Sequence, residues 1–438
     1  MQRFDMVVIG GGSTGIAAAY RVARAGRRVA VIDKGPMGGL CSLAGCNPKK
    51  VLVRASEVLQ TVRDAAVHGV SAGELSVDWE TVWKRKHSFT DPVPESTDKS
   101  LAAAGIARIH GVARFIDAET IAVGDGTFQA DAFVIATGSH PRNLDFHGAA
   151  ALKTSNDALE LKEPPKRMSI IGSGVVAFEF SHVFARLGTK ITMLMRDHGG
   201  LSGFDDDFSR IALEFARDHL GITFVPNADF TSIEWNDAGF VLNAAGRVAA
   251  IEELDLHNAN VQASERGVIV DDFLRSKTNR RVFAGGDAHG VRHLSPVASY
   301  EGRIIARNFL EGDVKPVDYS TIPQCIYTTP PMASVGLTKK AAEEKGHEVR
   351  VYAADMSTWL VYSIAAEPIA CARVIAEKKS GKVLGAQLFG ASAPENIHLF
   401  ALAIQCGLTT DHLAEMVYAY PTFASTFQSL LTGSKETA

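Results

Sequence analysis

Two of the five cysteines, Cys41 and Cys46, lie close together in a glycine-rich segment that begins at Gly38 and ends at Lys50. Four residues separate them, so the first turn of a helix could bring the two sulfurs together. A helix N-terminus and the cationic Lys49 would stabilise a thiolate there. In a long chain in a reducing compartment, a close cysteine pair is more often catalytic or metal-binding than structural. The segment therefore predicts thiol chemistry.

The other three cysteines, Cys325, Cys371 and Cys406, stand alone, without histidine or cysteine at the spacing of metal ligands. We expect each of them to be a small buried thiol. On this basis the sequence predicts no metal site.

The cysteine segment follows a strand–turn–helix–strand unit at the start of the chain. A buried strand ends at Ile9, and Gly10, Gly12 and Gly15 form a GxGxxG turn before a helix and a second strand that ends in Asp33. These glycines permit a tight turn, the approach of a pyrophosphate and close helix packing, and the helix N-terminus attracts phosphate. Asp33 stands where a carboxylate binds ribose hydroxyls. The unit predicts a site for FAD or NAD(P).

The same pattern recurs after a proline-containing linker at residues 163–166. A strand that begins at Met168 leads into Gly172 and Gly174, and Ala177 takes the place of the third glycine. Alanine is a tolerated variant at that position. Two dinucleotide sites in one chain imply two nucleotides that exchange electrons.

Arg196 ends the second strand of this unit, where an acid would bind the ribose of NADH. A guanidinium suits the 2′-phosphate of NADP, so NADPH is favoured over NADH. The alternative is a solvated surface arginine, and Asp197 beside it weakens the phosphate interpretation.

The cysteine segment strongly resembles GGxCxxxGCxPxK, the redox-active motif of the glutathione reductase-like flavoprotein disulfide oxidoreductases. Four further segments resemble family motifs in the same order along the chain. They are Ala136-Thr137-Gly138, Gly285-Gly286-Asp287, Leu294-Ser295-Pro296-Val297-Ala298 and Pro331-Met332-Ala333-Ser334-Val335-Gly336-Leu337-Thr338. The first three resemble parts of the flavin domain, and the fourth resembles the opening of the C-terminal interface domain.

The resemblance implies a mechanism in which a hydride passes from NADPH to FAD and the electrons then reach a Cys41–Cys46 disulfide. Cys46 would be the sulfur near the flavin and Cys41 the exchanging thiol. Lys49 matches the family lysine beside the flavin, and Glu179 matches its ion-pair partner. Such a pair fixes a cation where the reduced flavin gains negative charge.

The resemblance also implies an α/β fold with two Rossmann-like dinucleotide-binding domains and a C-terminal α+β dimerisation domain, in a homodimer. We expect a discontinuous FAD domain at 1–143 and 266–317, an NAD(P) domain at 144–265 and an interface domain at 318–438. The expected cofactor-binding residues are Gly10, Gly12, Gly15, Asp33, Lys34, Gly39, Lys50, Thr137, Gly138, Gly172, Gly174, Arg196, Gly286, Asp287, Ser295, Pro296 and Val297.

The chain departs from the family near its C-terminus, where Tyr420 precedes Pro421-Thr422 in place of the acid–base histidine of the disulfide reductases, and Ser425 replaces a glutamate. A tyrosine, with a reference pKa of about 10, is a poor base at neutral pH. Tyr420 could donate a proton or a hydrogen bond, or it could only pack at the dimer interface. A second departure is the segment between Asp229 and Gly246, where a hairpin of the NADPH domain looks shortened.

These departures leave four hypotheses. The first is an NADPH-dependent reductase of an unidentified, small-molecule disulfide. The second is a metal reductase like mercuric reductase, weakened because the tail at 433–438 carries no cysteine pair. The third is a transhydrogenase or quinone-reducing enzyme, which leaves the cysteine pair unexplained. The fourth is a flavin-binding protein without enzymatic activity, which the intact cysteine pair disfavours.

Charge and hydropathy exclude other classes. The formal net charge of -4 offers no basic field for nucleic acid or anionic lipid. No secretory signal and no apolar stretch of membrane-spanning length are visible. We expect a cytoplasmic enzyme without nucleic-acid or membrane partners.

Overall fold

The computed structural model describes residues 1–230 and 239–433. Part of the segment between Asp229 and Gly246, which the sequence analysis expected to be a shortened hairpin, and the end of the tail lie outside these residues. Within them, every helix is too short or too polar to cross a membrane.

The chain combines helices and strands along its whole described length. The helices of the described residues are α1 (Ser13–Arg24), α2 (Gly39–Ala44), α3 (Cys46–Asp64), α4 (Trp79–Thr90), α5 (Val93–Ala103), α6 (Ser155–Leu159), α7 (Val175–Arg186), α8 (Asp206–Leu220), α9 (Ser295–Glu311), α10 (Lys339–Glu344), α11 (Leu360–Ala365), α12 (Ala393–Cys406), α13 (Thr410–Glu415) and α14 (Thr426–Gly433). The strands are β1 (Gln2–Ile9), β2 (Val29–Asp33), β3 (Ala107–His110), β4 (Ala113–Phe115), β5 (Thr120–Val123), β6 (Gly126–Ile135), β7 (Ser139–Pro141), β8 (Arg167–Ile171), β9 (Lys190–Leu194), β10 (Thr223–Val225), β11 (Phe240–Asn243), β12 (Arg247–Ala249), β13 (Ala263–Ser264), β14 (Gly267–Val268), β15 (Val282–Ala284), β16 (Gln324–Ile326), β17 (Met332–Gly336), β18 (Val349–Asp355), β19 (Cys371–Glu377) and β20 (Val383–Phe389).

The first sheet has seven strands and carries the first glycine turn. Its order is β3-β2-β1-β6-β5-β4, with β15 also pairing with β6. Strand β1 pairs in parallel with β2 and β6, whereas β5 pairs antiparallel with both β4 and β6. The last four residues of β1 are all buried, as expected for a parallel strand covered on both faces. The turn thus begins at the carboxyl end of a central strand, where nucleotides bind in such sheets.

The second sheet has the order β10-β9-β8-β11, and all of its pairings are parallel. The chain enters and leaves this unit through β7 and β12, which pair antiparallel with each other. The third sheet, β16-β17-β20-β19-β18, is entirely antiparallel. This architecture confirms the predicted fold class. The domain boundaries of the sequence analysis stay a prediction.

One hydrophobic core connects helix α3 with the second and third sheets. Leu52 of α3 is buried in the same cluster as Phe178 and Phe184 of α7 and Ile326 and Phe389 of the third sheet. The helix that begins at Cys46 is therefore packed against the helix that follows the second glycine turn. This packing brings the cysteine segment and the second nucleotide unit to one place.

Candidate active site

The two cysteines lie at the junction of two helices. Cys41 is in the middle of the short helix α2, and Cys46 begins α3. Gly45 separates the helices with a φ of -133° and a ψ of -110°, outside the helical region. The expectation that a single helical turn holds both cysteines is therefore wrong, because the chain bends at Gly45.

The two thiols are free and interact with each other. Hydrogen bonds from the Cys46 thiol and, more weakly, the Ser295 hydroxyl lower the pKa of Cys41 to about 6, although partial burial opposes the shift. Sharing the hydrogen bond with Cys41 raises the pKa of Cys46, and burial acts in the same direction. Hydrogen bonding within the pair therefore favours the thiolate on Cys41 over the thiolate on Cys46.

Beside the pair, one buried carboxylate faces two lysines. Glu179 of α7 is 1% exposed; its Oε2 pairs with Lys49, and its Oε1 lies 2.8 Å from the Nζ of Lys50. Burial alone would raise the pKa of Glu179, but the charges of Lys49 and Lys50 more than offset it and hold the pKa low. Burial lowers the pKa of Lys50, and Glu179 opposes that shift.

Lys50, and not Lys49 as the sequence analysis had it, occupies the lysine position of the family motif. In the motif GGxCxxxGCxPxK the lysine stands four residues after the second cysteine, which in this chain is Lys50. The carboxylate of Glu179 contacts both side chains. Because α3 packs against α7, consecutive lysines in its first turn can reach the same carboxylate.

Backbone atoms of neighbouring segments pack closely against the glycines of the first turn. Gly10 has a φ of +114°, and a Cβ there would lie 2.1 Å from the carbonyl oxygen of Ala136. Gly39, at the start of α2, lies against Gly12, and its own φ is +70°. Gly15 begins the close packing of α1 on β1, because a Cβ there would overlap the Gly10 carbonyl. This cradle of bare backbone fits a pyrophosphate at the N-terminus of α1.

Asp33 ends β2 with its carboxylate turned to this turn. Its Oδ2 accepts a hydrogen bond of 2.7 Å from the backbone N–H of Gly11, and its Oδ1 accepts one of 2.8 Å from Gly35. Lys34 pairs with Glu253 on the surface. Asp33 is therefore placed at the turn, whereas Lys34 is engaged elsewhere.

The other predicted flavin residues converge on the same end of the sheet. The hydroxyl of Thr137 is buried and has no hydrogen-bond partner among the described residues, and Gly138 follows it with a φ of +73°. Gly286 precedes Asp287 at the end of β15. Ser295, Pro296 and Val297 form the first turn of α9, and the Ser295 hydroxyl lies 3.1 Å from that of Ser13 in α1. An unpaired buried hydroxyl beside an open glycine backbone fits a bound polar cofactor.

Asp287 is held by three residues that the sequence analysis missed. Ser139 donates a hydrogen bond of 2.5 Å to its Oδ2, His293 lies 3.4 Å away, and Arg247 binds Ser139. Burial alone would raise the pKa of Asp287, but His293, Ser139 and Arg247 keep it low. Ser139 could have been found, because it directly follows the Ala-Thr-Gly motif. Arg247 could not, since only the β7–β12 pairing brings it there.

The second glycine turn has the same close backbone contact at its first glycine, but its other side is open to solvent. Gly172 has a φ of +121°, and a Cβ there would lie 2.4 Å from the Ala244 carbonyl oxygen. A Cβ on Gly174 would meet no described atom within 4 Å. Val175 is exposed, and the side chain of Arg196 is 90% exposed and 4.0 Å from Asp197. This site is open to solvent where the first is covered.

Tyr420 lies in the third-sheet unit, and its residue is 75% exposed. Thr422 and Ser425 are linked by reciprocal hydrogen bonds that cap the turn after it.

Of the three isolated cysteines, Cys371 is buried, Cys325 is half-buried and Cys406 is exposed. The expectation that all three are buried is wrong for Cys406, because it ends α12 at the surface. In the described part of the chain, no group of three or more His, Cys, Asp or Glu side chains is arranged to hold a metal.

Residues 4–302 match the family model described as pyridine nucleotide-disulphide oxidoreductase, and residues 322–431 match the dimerisation domain of the same family. The chain belongs to this family. Mercuric reductase from Bacillus cereus is 30% identical over 455 residues, covering 99% of this chain and 72% of the relative. Glutathione reductase from Nostoc sp. is 29% identical over 457 residues, covering 98% of this chain and 99% of the relative.

Among solved structures, the chain is similar to the Cu(II) complex of the HOCl-induced flavoprotein disulfide reductase RclA from Escherichia coli. The match has a TM-score of 0.87 and 25% identity, and covers 98% of this chain and 99% of that one. The protein is a flavin-dependent pyridine nucleotide-disulfide oxidoreductase of the glutathione reductase type. Its family implies FAD and a pyridine nucleotide, and its dimerisation domain supports a homodimer.

Proposed function

We propose that this oxidoreductase uses NADPH to reduce a small-molecule disulfide, with Cys41 and Cys46 as its redox centre. The observation that carries the proposal is the contact between two free thiols at the junction of α2 and α3, beside the buried Glu179 and its two lysines. The pair is also asymmetric. Cys41 has a pKa lowered to about 6, while the pKa of its hydrogen-bonded partner Cys46 is raised. A nucleophilic thiolate beside a protonated resolving thiol is the arrangement that disulfide exchange needs.

The cysteines perform two exchange steps on the acceptor. The Cys41 thiolate attacks one acceptor sulfur, so that a mixed disulfide forms and the other half leaves as a thiolate. Cys46 then loses its proton and attacks the Cys41 sulfur, which reforms the internal disulfide and releases the second half. The Cys46 proton can pass to the departing sulfur. The acceptor gains the two electrons that the pair loses, and the enzyme returns to its oxidised state.

Bound FAD would supply the two-electron step between the hydride of NADPH and the Cys41–Cys46 disulfide. The backbone around Gly10, Gly12 and Gly39 would hold its pyrophosphate, Asp33 its ribose, and Asp287 its polar chain. The Lys49–Glu179–Lys50 cluster would keep positive charge beside the cysteines, which favours the Cys41 thiolate.

Arg196 supports NADPH over NADH as the electron donor. Its side chain is exposed after β9, at the open second turn, so it can contact a 2′-phosphate.

Tyr420 is proposed to act in the active site of the partner subunit, by donating a hydrogen bond to the acceptor. The domain boundaries proposed from the sequence keep the two turns in separate units. A thiol centre driven by NADPH fits the cytoplasm, which keeps thiols reduced.

Differential alkylation tests the proposal. The oxidised, flavin-loaded enzyme is mixed anaerobically with or without NADPH and labelled with iodoacetamide. The mass of the peptide that contains both cysteines is then measured by mass spectrometry. We expect a label on Cys41 with NADPH and no label on either cysteine without it, because the lowered pKa of Cys41 makes it the reactive thiolate. Cys406 is exposed and provides an internal control that labels in both samples. Absence of NADPH-dependent labelling at Cys41 and Cys46 would refute the proposed redox centre.

Metal reduction is the second candidate, favoured by the similarity to mercuric reductase. Both candidates require the cysteine pair, but they differ in the acceptor. NADPH oxidation that is faster with Hg(II) than with every disulfide tested would replace disulfide reduction as the proposed function.

A further inference from the structure

The redox centre contains more positive charge than its carboxylate can neutralise. Glu179 carries one negative charge and meets two ammonium groups, those of Lys49 and Lys50. The two ammonium groups repel each other, and the charge of Lys49 contributes to the lowered pKa of Lys50. The second cation therefore needs another partner.

Tyr327 provides that partner for Lys50. The Nζ of Lys50 lies 3.8 Å from the centre of the Tyr327 ring, well within the range of a cation–π interaction. The backbone N–H of Tyr327 also donates a hydrogen bond of 2.9 Å to the Oε1 of Glu179, the oxygen that Lys50 contacts. By contrast, the Nζ of Lys49 is 6.0 Å from the ring of Phe180, at the limit of such an interaction.

Tyr327 belongs to a different unit from the residues that it contacts. It directly follows β16 of the third sheet, whereas Lys50 is in α3 and Glu179 is in α7. The third-sheet unit thus reaches the redox centre of its own chain with both the ring and the backbone of one residue. Its contribution does not depend on the partner subunit.

We propose that Tyr327 is a positioning residue whose aromatic ring holds the Lys50 ammonium beside the cysteine pair. The inference rests on the proposed function of Cys41 and Cys46. The ammonium of Lys50 acts on both thiols by its charge and favours the thiolate. Loss of the ring leaves the Lys50 ammonium held by Glu179 alone, which it shares with Lys49. The ammonium is then less firmly fixed beside the cysteines, and the Cys41 thiolate becomes harder to form.

Several charged and polar groups face this cluster. Cys41 faces Cys46, Ser295 and Lys50, and Lys50 faces Glu179, Lys49 and Cys46. Tyr327 faces Cys325, Glu179 and Glu395. The pKa values of Cys325 and Tyr327 are both raised, mainly by burial, so neither group ionises near the pKa of Cys41.

The test compares Tyr327→Leu, which removes the ring, with Tyr327→Phe, which keeps it. Each holoenzyme is reduced with dithiothreitol, and the rate of Cys41 alkylation is measured against pH by mass spectrometry of its peptide. We expect wild type and Tyr327→Phe to share one midpoint, and Tyr327→Leu to have a midpoint about half a unit higher, about a threefold loss of thiolate below the midpoint. Equal profiles for Tyr327→Leu and wild type, or equal shifts in both variants, would overturn the proposal.

A second series guards against loss of folding in Tyr327→Leu. Phenylalanine with increasing numbers of ring fluorines is incorporated at position 327, because fluorine weakens the cation–π attraction with little change of ring size. The midpoint should rise with each added fluorine, and a constant midpoint would exclude the cation–π role. Because dithiothreitol replaces NADPH as reductant, these results are independent of the experiment that tests the proposed function.

Discussion

The glycine turn before α1 and the glycine turn before α7 follow one sequence pattern but have different surroundings. Both have a glycine of positive φ at the base, Gly10 and Gly172, pressed against a neighbouring backbone carbonyl. Above that base the first turn is covered by Gly39 at the start of α2, whereas Gly174 in the second turn faces open space in the described structure.

The charged residues that follow the two turns differ in the same way, since the one at the first turn is fixed and the one at the second is exposed. Asp33 accepts backbone hydrogen bonds from Gly11 of the first turn and from Gly35, whereas Arg196 is exposed to solvent after β9, with only Asp197 near its guanidinium. A covered, rigid site suits a cofactor that stays bound, and an open site suits a nucleotide that must leave after each turnover. The same local motif can thus hold a resident or an exchanging nucleotide, according to what the chain places above it.

The largest effect is expected when the cover of the first turn is disturbed. A Cβ on Gly39 would lie 2.4 Å from the Cα of Gly12, at a φ of +70°. Gly39→Ala should cost about 3 kcal/mol or more of stability and release most of the flavin. The ratio of flavin to protein absorbance measures this loss. Gly174→Ala is the matched control and should keep its flavin; equal flavin loss in both variants would remove the distinction between the turns.

Glu179 links the unit of the second turn to the cysteine segment, because it lies in α7 and pairs with the lysines of α3. Glu179→Gln leaves two ammonium groups without a buried counter-charge and should destabilise the enzyme by about 3 kcal/mol. Chemical unfolding at neutral pH measures the change. The exposed pair of Glu80 and Lys84 is the control, and Glu80→Gln should cost less than about 0.5 kcal/mol.

The same carboxylate predicts a pH dependence. The folded pKa of Glu179 is depressed. Its contribution to stability is therefore complete above the unfolded glutamate pKa of about 4.3, and it is lost as the pH falls through the folded value. Wild type and Glu179→Gln should approach each other in stability in that acidic window. A stability difference that stays constant down to pH ~2 would contradict the ionised pair.

A smaller effect is expected at the mouth of the second turn. Arg196→Gln should raise the KM for NADPH about tenfold, equivalent to about 1.4 kcal/mol, and leave the KM for NADH unchanged. Steady-state kinetics with both donors measure the difference. Arg210, an exposed arginine of α8 paired with Glu214, is the control for a general change of surface charge. An equal rise with NADH would show that Arg196 does not read the phosphate.

The smallest effect is expected for Tyr420→Phe, which removes only a hydroxyl. Loss of one hydrogen bond of about 1 kcal/mol predicts about fivefold slower reduction of a disulfide acceptor. The rate at which NADPH produces thiols at Cys41 and Cys46 should not change, because that step precedes the acceptor. Unchanged acceptor turnover would leave Tyr420 with packing alone.

Much of the fold could be predicted because its signals are local. Gly10, Gly12 and Gly15 follow a buried strand and precede a helix, and the strand, the turn and helix α1 are found where the pattern places them. The cysteine pair is equally local, since glycines and lysines surround it within one segment.

Contacts between distant segments could not be predicted. Arg247 reaches Asp287 only through Ser139 and the pairing of β7 with β12, and Tyr327 meets Lys50 only because the third sheet packs on α3 and α7. The bend at Gly45 was missed for another reason: a glycine between two helical stretches can continue a helix or end it, and tertiary packing decides which.

Anaerobic titration of the flavin-loaded enzyme with NADPH tests most directly whether electrons that enter at the open turn reach Cys41 and Cys46. A working pair predicts uptake of two NADPH equivalents per flavin in wild type, because the disulfide stores one electron pair beyond that of the cofactor. Cys46→Ser should take up one. The starting protein must contain the Cys41–Cys46 disulfide. If that oxidised wild-type enzyme takes up only one equivalent, the result contradicts the proposed redox centre.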